Sequence, residues 1–92
     1  MKQTIKVIVK GQRRGKTFNT KITFTLIPPT GMSYAGNGHF MSVDMPGSSH
    51  YVDVRYSHTT DIKKLATIWI KDYFGKNATN AVIVGGVKYA EQ

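Results

Sequence analysis

Cysteine is absent from the 92 residues, so neither a disulfide framework nor a thiolate metal site can be built, and packing alone must hold the fold. That absence favours a reducing compartment, and the expected location is cytoplasmic. Long apolar runs are missing too: nothing approaches the roughly 20 residues a membrane helix needs. Near the N-terminus the apolar stretch Ile5 to Val9 is interrupted by Lys6, which makes it too short and too charged for a signal peptide. No membrane partner is expected. Acids are scarce, with five Asp and Glu against 13 Lys and Arg, a net charge of +8. Two domains would each fall near the size below which a lone core is hard to sustain, so residues 1–92 are read as a single compact domain.

The charge is unevenly spread. Lys2, Lys6, Lys10, Arg13, Arg14, Lys16 and Lys21 fall within the first 27 residues with no carboxylate beside them, a local +7. From Pro28 to Ile62, Arg55 stands against Asp44, Asp53 and Asp61, giving −2; the remainder sets five lysines against Asp72 and Glu91, giving +3. A segregated charge produces a directed field that draws anionic partners, which a uniformly basic surface would not.

Alternation predicts a strand over Thr4 to Val9 with Ile5, Val7 and Val9 inward, and a second over Thr17 to Ile27 with Phe18, Ile22, Phe24 and Leu26 on one side. Pairing Val9 with Phe18, Val7 with Thr20 and Ile5 with Ile22 puts both inward sets on one face. The stretch KGQRRGK, Lys10 to Lys16, then becomes the tip of a basic hairpin. Pro28 to His39, with three glycines and two prolines, reads as a flexible loop. A second hairpin is predicted from HFMSVDM and HYVDVRY around a four-residue turn, Pro46 to Ser49. Setting Met45 against His50 places Val43 opposite Val52 and Met41 opposite Val54, with Phe40, Tyr51, Arg55, Asp44 and Asp53 on the other face.

Ile62, Leu65, Ala66, Trp69, Ile70 and Tyr73 fall within an arc of about 140° on a helix. Thr59 or Thr60 is a candidate N-cap, Asp61 lies in the first turn, and Gly75 can end the helix in a left-handed conformation. Trp69 and Tyr73 read as core on this stripe. Lys63, Lys64 and Lys71 take the opposite face. The run Ala81 to Val84, continuing past Gly85-Gly86 towards Tyr89, reads as a last strand, and its unbroken apolarity predicts burial on both faces. The fold class is α+β: a small, largely antiparallel sheet in the order ββ(loop)ββαβ with one amphipathic helix on one face.

The chemistry-bearing residues point to binding, and no enzyme is expected. Ser48-Ser49-His50 sets hydroxyls beside an imidazole, but neighbours in a turn point apart and no acid is placed to orient the ring. TGMSYAGNG does not stand between a strand and a helix, so it supports no phosphate-cradling loop. Five or six residues at about 3.3 Å each separate His50 from His39 and His58 by roughly 17–20 Å, so the three cannot share one ion. His39, His58 and Asp61 match no known ligand spacing, and neither metal nor cofactor is expected.

The candidate nucleic-acid contacts are Lys6, Lys10, Arg13, Arg14, Lys16 and Lys21, because Lys and Arg are the usual donors to phosphate oxygens and a two-stranded ribbon fits a major groove. DNA is favoured over RNA as the partner. Phe40, Tyr51 and Arg55 form a second group, suited to stacking bases or to a protein contact. The alternative is an interaction or inhibitory module whose basic face meets an acidic protein. An unpaired first or last strand would also allow a homodimer by sheet-edge pairing.

Overall fold

Arg14 and Gly15 both take positive φ, 54° and 79°, as the central pair of a two-residue hairpin turn must if the strands are to keep their right-handed twist. The computed structural model, which describes residues 2–29, 38–54 and 59–90, closes strand β1 (Lys2–Arg13) onto β2 (Lys16–Ile27) across that turn. Arg13 pairs with Lys16, so Val9 faces Thr20, Val7 faces Ile22 and Ile5 faces Phe24. The register therefore lies two residues from the one predicted, because the strands run on almost to the turn. Side chains alternate with a period of two, so a two-residue shift leaves every side chain on its expected face.

The second hairpin shows the same displacement for the same reason. β3 (Phe40–Met45) and β4 (Ser48–Asp53) meet across Pro46-Gly47 alone, with Met45 opposite Ser48, Val43 opposite His50 and Met41 opposite Val52. Proline fixes φ at the first turn position and Gly47, at φ 79°, takes the second, so two residues do the work expected of four.

The helix α1 (Ile62–Phe74) begins one step later than a threonine cap would place it. Asp61 is the cap: its carboxylate accepts from the Lys63 N–H at 2.9 Å, and its own N–H donates to Thr59 Oγ1 at 3.0 Å. A single 3₁₀ turn, Gly75–Asn77, follows; Gly75 ends the helix at positive φ, 57°, but with ψ −129° it lies outside the left-handed helical region expected of it. The last strand, β5 (Ala78–Ala90), completes a five-stranded, wholly antiparallel-paired sheet in the order β4-β3-β2-β1-β5. β4 and β5 thus run parallel at opposite edges, and α1 is the crossover that parallel strands require.

One face of the sheet is covered by α1. Ile5, Val7, Val9, Ile22, Phe24, Leu26, Met41 and Val43 pack there against Ile62, Leu65, Ala66 and Ile70. Gly11 is buried on this face, and a Cβ on it would overlap the Asn77 carbonyl and lie 2.8 Å from Phe18 Cζ. Absence of a side chain at Gly11 is what lets the turn after the helix seat directly on β1.

β5 departs from the expectation of burial on both faces. Val82 and Val84, opposite Ile8 and Lys6, lie on the sheet face turned away from the helix and are 49% and 42% exposed, while Ile83, opposite Val7 on the helix side, is 38% exposed at the edge of the sheet. β1, the other candidate edge, lies between β2 and β5. The glycine pair 85–86, with φ of 79° and 72°, forms a bulge: three residues lie opposite Ile5 between the pairs Thr4–Lys88 and Lys6–Val84. A second slip in register, between Lys10 and Gly11, is pinned by Thr79, whose hydroxyl donates to the Lys10 carbonyl at 3.2 Å. Among the described residues no helix is long and apolar enough to cross a membrane.

Candidate nucleic-acid interface

The face of the sheet turned away from α1 carries the even-numbered residues of β1 and the odd-numbered residues of β2. Lys21 stands directly opposite Ile8, and its diagonal neighbours on β1 are Lys6, which pairs with Thr23, and Lys10, which pairs with Asn19. Diagonal positions lie roughly 7–8 Å apart. Lys6 and Lys10, four residues apart on one strand, are about 13 Å apart. Three ammonium groups therefore surround Ile8 in a triangle, with Thr17, Asn19, Thr23 and Thr25 between and beside them as neutral donors. β5 adds Lys88, opposite Thr4, to the same face. Lys6, Lys10 and Lys21 are exposed, and among the described residues no ion pair engages them.

The acids of this face lie to one side. Asp44, opposite Thr23, is a diagonal neighbour of Lys21, but its two oxygens accept from Ser42 Oγ at 3.1 Å and Ser49 Oγ at 2.8 Å. Asp53 lies further out, on β4 opposite Phe40. Because β3 and β4 occupy one end of the sheet order, the segregation of charge along the chain becomes segregation in space: cations over β2, β1 and β5, carboxylates over β3 and β4. The field across the open face is directional.

The tip of the first hairpin divides the remaining cations. Arg14 occupies the turn itself, while Arg13 and Lys16, a directly opposed pair, belong by strand parity to the helix side. There they line a cleft of about 470 Å³ with Phe18, Tyr73, Phe74 and Asn77. Six predicted cations thus form two groups on opposite faces, joined at the tip by Arg14. No family model matches the chain, and no curated protein or solved structure matches it. The geometry of the two groups is what any functional reading must rest on.

Of the second predicted group, Phe40 and Tyr51 share the open face with ring centroids 6.3 Å apart, Phe40 buried and Tyr51 64% exposed. Arg55 and His58 lie outside the described residues, as does most of the loop predicted over 28–39. Among the described residues no group of three or more His, Asp or Glu gathers to hold a metal.

Two features of the helix side differ from expectation. Ser48 and His50 do not point apart: as residues i and i+2 of one strand they share a face, and Ser48 Oγ lies 2.7 Å from His50 Nε2. The imidazole is further packed by Trp69 and Tyr73, at 5.6 Å and 5.5 Å, which orients it as part of an aromatic cluster. Tyr73 is not core. It is 52% exposed, stacked on Trp69 at 4.6 Å and 11°, because the last turn of the helix runs past the area its stripe covers. Helical spacing places Tyr73 on the apolar arc but carries no information on where the sheet ends, so sequence reasoning had no signal for its exposure.

Proposed function

We propose that the protein is a non-enzymatic nucleic-acid-binding domain that grips the phosphate backbone of duplex DNA with the uncovered face and tip of its first hairpin. The observation that carries the reading is the Lys6–Lys21–Lys10 triangle, set among threonine and asparagine donors on a sheet face that α1 leaves bare. Lys21 has two lysines and one carboxylate, Asp44, at diagonal distance, and Asp44 is engaged by Ser42 and Ser49, so the face keeps an excess of positive charge that suits an anionic partner. Phosphate oxygens at the same face balance that charge and accept from lysine, threonine and asparagine alike.

Counterion release makes the test quantitative. If about five phosphates are neutralised, retention of a random-sequence duplex should fall with salt at a log–log slope of roughly −4 to −5. Anisotropy titrations of a labelled duplex at several salt concentrations give that slope. A value near zero, or no retention at low salt, removes the reading and leaves the rival one, an acidic protein partner meeting the same face beside the exposed Tyr51.

The partner list extends to a second copy of the chain. Among the described residues β5 presents an unpaired edge; the Gly85-Gly86 bulge and Lys88 interrupt its second half, but Ala78 to Val84 carries no proline and no charge. Antiparallel pairing of two β5 edges about a two-fold axis would continue the sheet and set two lysine triangles on one surface. Light scattering should then give a dimer mass for the native chain and a monomer mass for Val82→Lys/Val84→Lys, with thermal melting confirming that the variant is folded. A native chain that stays monomeric at its solubility limit eliminates the dimer.

A further inference from the structure

The cleft at the hairpin tip is built differently from the lysine face, and the difference specifies what fits it. Its walls come from Arg13, Lys16 and Phe18 of the first hairpin, Met45 at the end of β3, Tyr73 and Phe74 of the last turn of α1, and Asn77 of the 3₁₀ turn. Phe18 and Phe74 stack at 5.5 Å and 19°, and Tyr73 meets Phe74 edge-on at 5.0 Å and 75°, so three rings in contact line the cleft, with Tyr73 turned across the other two. One side of the Tyr73 ring is taken by Trp69, yet half of the residue remains exposed. An aromatic lining alone would suit any apolar group. The paired Arg13 and Lys16 at its rim favour an anion, and Asn77 completes the wall. A volume of about 470 Å³ is that of a small-ligand cleft.

We propose that this cleft seats one unpaired nucleobase, stacked on the exposed Tyr73 ring, with the phosphate of the same nucleotide held by Arg13 and Lys16. The inference rests on the nucleic-acid reading and deepens it. The lysine triangle supplies sequence-independent attraction to a backbone, and the cleft discriminates for strands whose bases are free to leave the stack. Duplexes offer phosphates but no accessible base face; single strands, bulges and frayed ends offer both. Base–aromatic stacking tolerates any base, so the cleft selects strandedness rather than sequence.

The test uses the full chain with a labelled short oligothymidylate, free thymidine 5′-phosphate and a relaxed closed-circular duplex, which has no ends to fray, as probes. Trp69, the single tryptophan, stacks directly on Tyr73 and reports occupancy of the cleft by its fluorescence. Oligothymidylate is expected to quench Trp69. Tyr73→Leu should weaken oligothymidylate binding by about five- to a hundredfold, the measured range for loss of one stacked base. Tyr73→Phe should restore it, and duplex affinity should be unchanged in both variants. Arg13→Gln/Lys16→Gln, at exposed positions that do not threaten folding, should weaken oligothymidylate binding and abolish quenching even if Tyr73→Leu is unstable. Quenching by free thymidine 5′-phosphate at similar affinity would assign the cleft to mononucleotides and overturn the single-strand proposal. Unchanged oligothymidylate affinity in the Arg13/Lys16 variant, with duplex binding intact, overturns the cleft alone. Loss of all binding by the native chain removes the underlying reading as well.

Discussion

Replacing Gly11 with alanine is expected to lower the melting temperature by roughly 10–20 °C, since inserting a methyl group into a packed site costs about 1–3 kcal/mol and each kcal/mol shifts a domain of this size by about 4–8 °C. The upper part of the range applies here because the added Cβ meets backbone. It overlaps the Asn77 carbonyl, which cannot swing aside as a flexible side chain would, and it also lies 2.8 Å from Phe18 Cζ. Relief requires the 3₁₀ turn to lift from β1, and with it Phe74 and Asn77, which help form the tip cleft. The substitution should therefore disturb cleft and stability together. Gly15→Asn is the contrast: Gly15 has positive φ but nothing within 4 Å of an added Cβ, and asparagine tolerates that conformation. Its melting temperature should move by only a few degrees. Should Gly11→Ala melt with the native chain, the turn does not rest on β1 at this point, and the construction of the cleft fails with it.

Exchanging Lys6, Lys10 and Lys21 together for glutamine should reduce duplex affinity by roughly 10²- to 10³-fold at about 0.1 M salt. Each phosphate contact contributes about 0.9 to the log–log slope, so removing three should flatten it by about 2.7 and cost nearly three decades at that salt. Stability should hold or rise slightly, since all three side chains are exposed and mutually repulsive. That pairing of outcomes is diagnostic, because a general loss of fold would lower binding and stability together. Lys63 and Lys64, on the outer face of α1, supply the control: the same exchange there removes charge without touching the triangle and should change the slope by less than one. Equal losses from the two sets would mean that net charge, and not the arrangement on the sheet, governs retention.

Much of the architecture was legible because local patterns carry it. Alternation in IKVIV and ITFTL, the turn signals within KGQRRGK and Pro46 to Ser49, and the apolar stripe from Ile62 to Ile70 each mark an element by a local pattern. Register was misjudged by two residues in both hairpins, since counting from apolar matches does not reveal how tightly a turn can close. The faces survived that error only because two is the period of a strand. β5 was read as doubly buried from AVIV alone. Burial depends on which neighbours a strand acquires, and nothing in that tetrapeptide reveals that it will pair with β1 at the sheet edge and turn Val82 and Val84 to the uncovered face.

The candidate site divides along the same line. Lys6, Lys10 and Lys21 were identifiable as a basic group because the strand period and one local turn suffice to bring them together. Lys88 was not, since it joins them through pairing between residues more than eighty positions apart. Tyr73 was assigned to the core by its helical phase, which is correct for Leu65 and Ile70 and fails where the helix outruns the sheet. By itself the sequence determined the elements, their inward faces and the excess of positive charge on the first hairpin, all of which follow from interactions between residues close along the chain. Only the tertiary structure decided that β5 closes an exposed edge, that the second hairpin pairs with β2 and so holds its carboxylates to one side of the lysines, and that aromatic and cationic side chains of the first hairpin and the end of α1 line a cleft. Those outcomes depend on where the crossover helix carries the chain, and that is set by packing over the whole sheet.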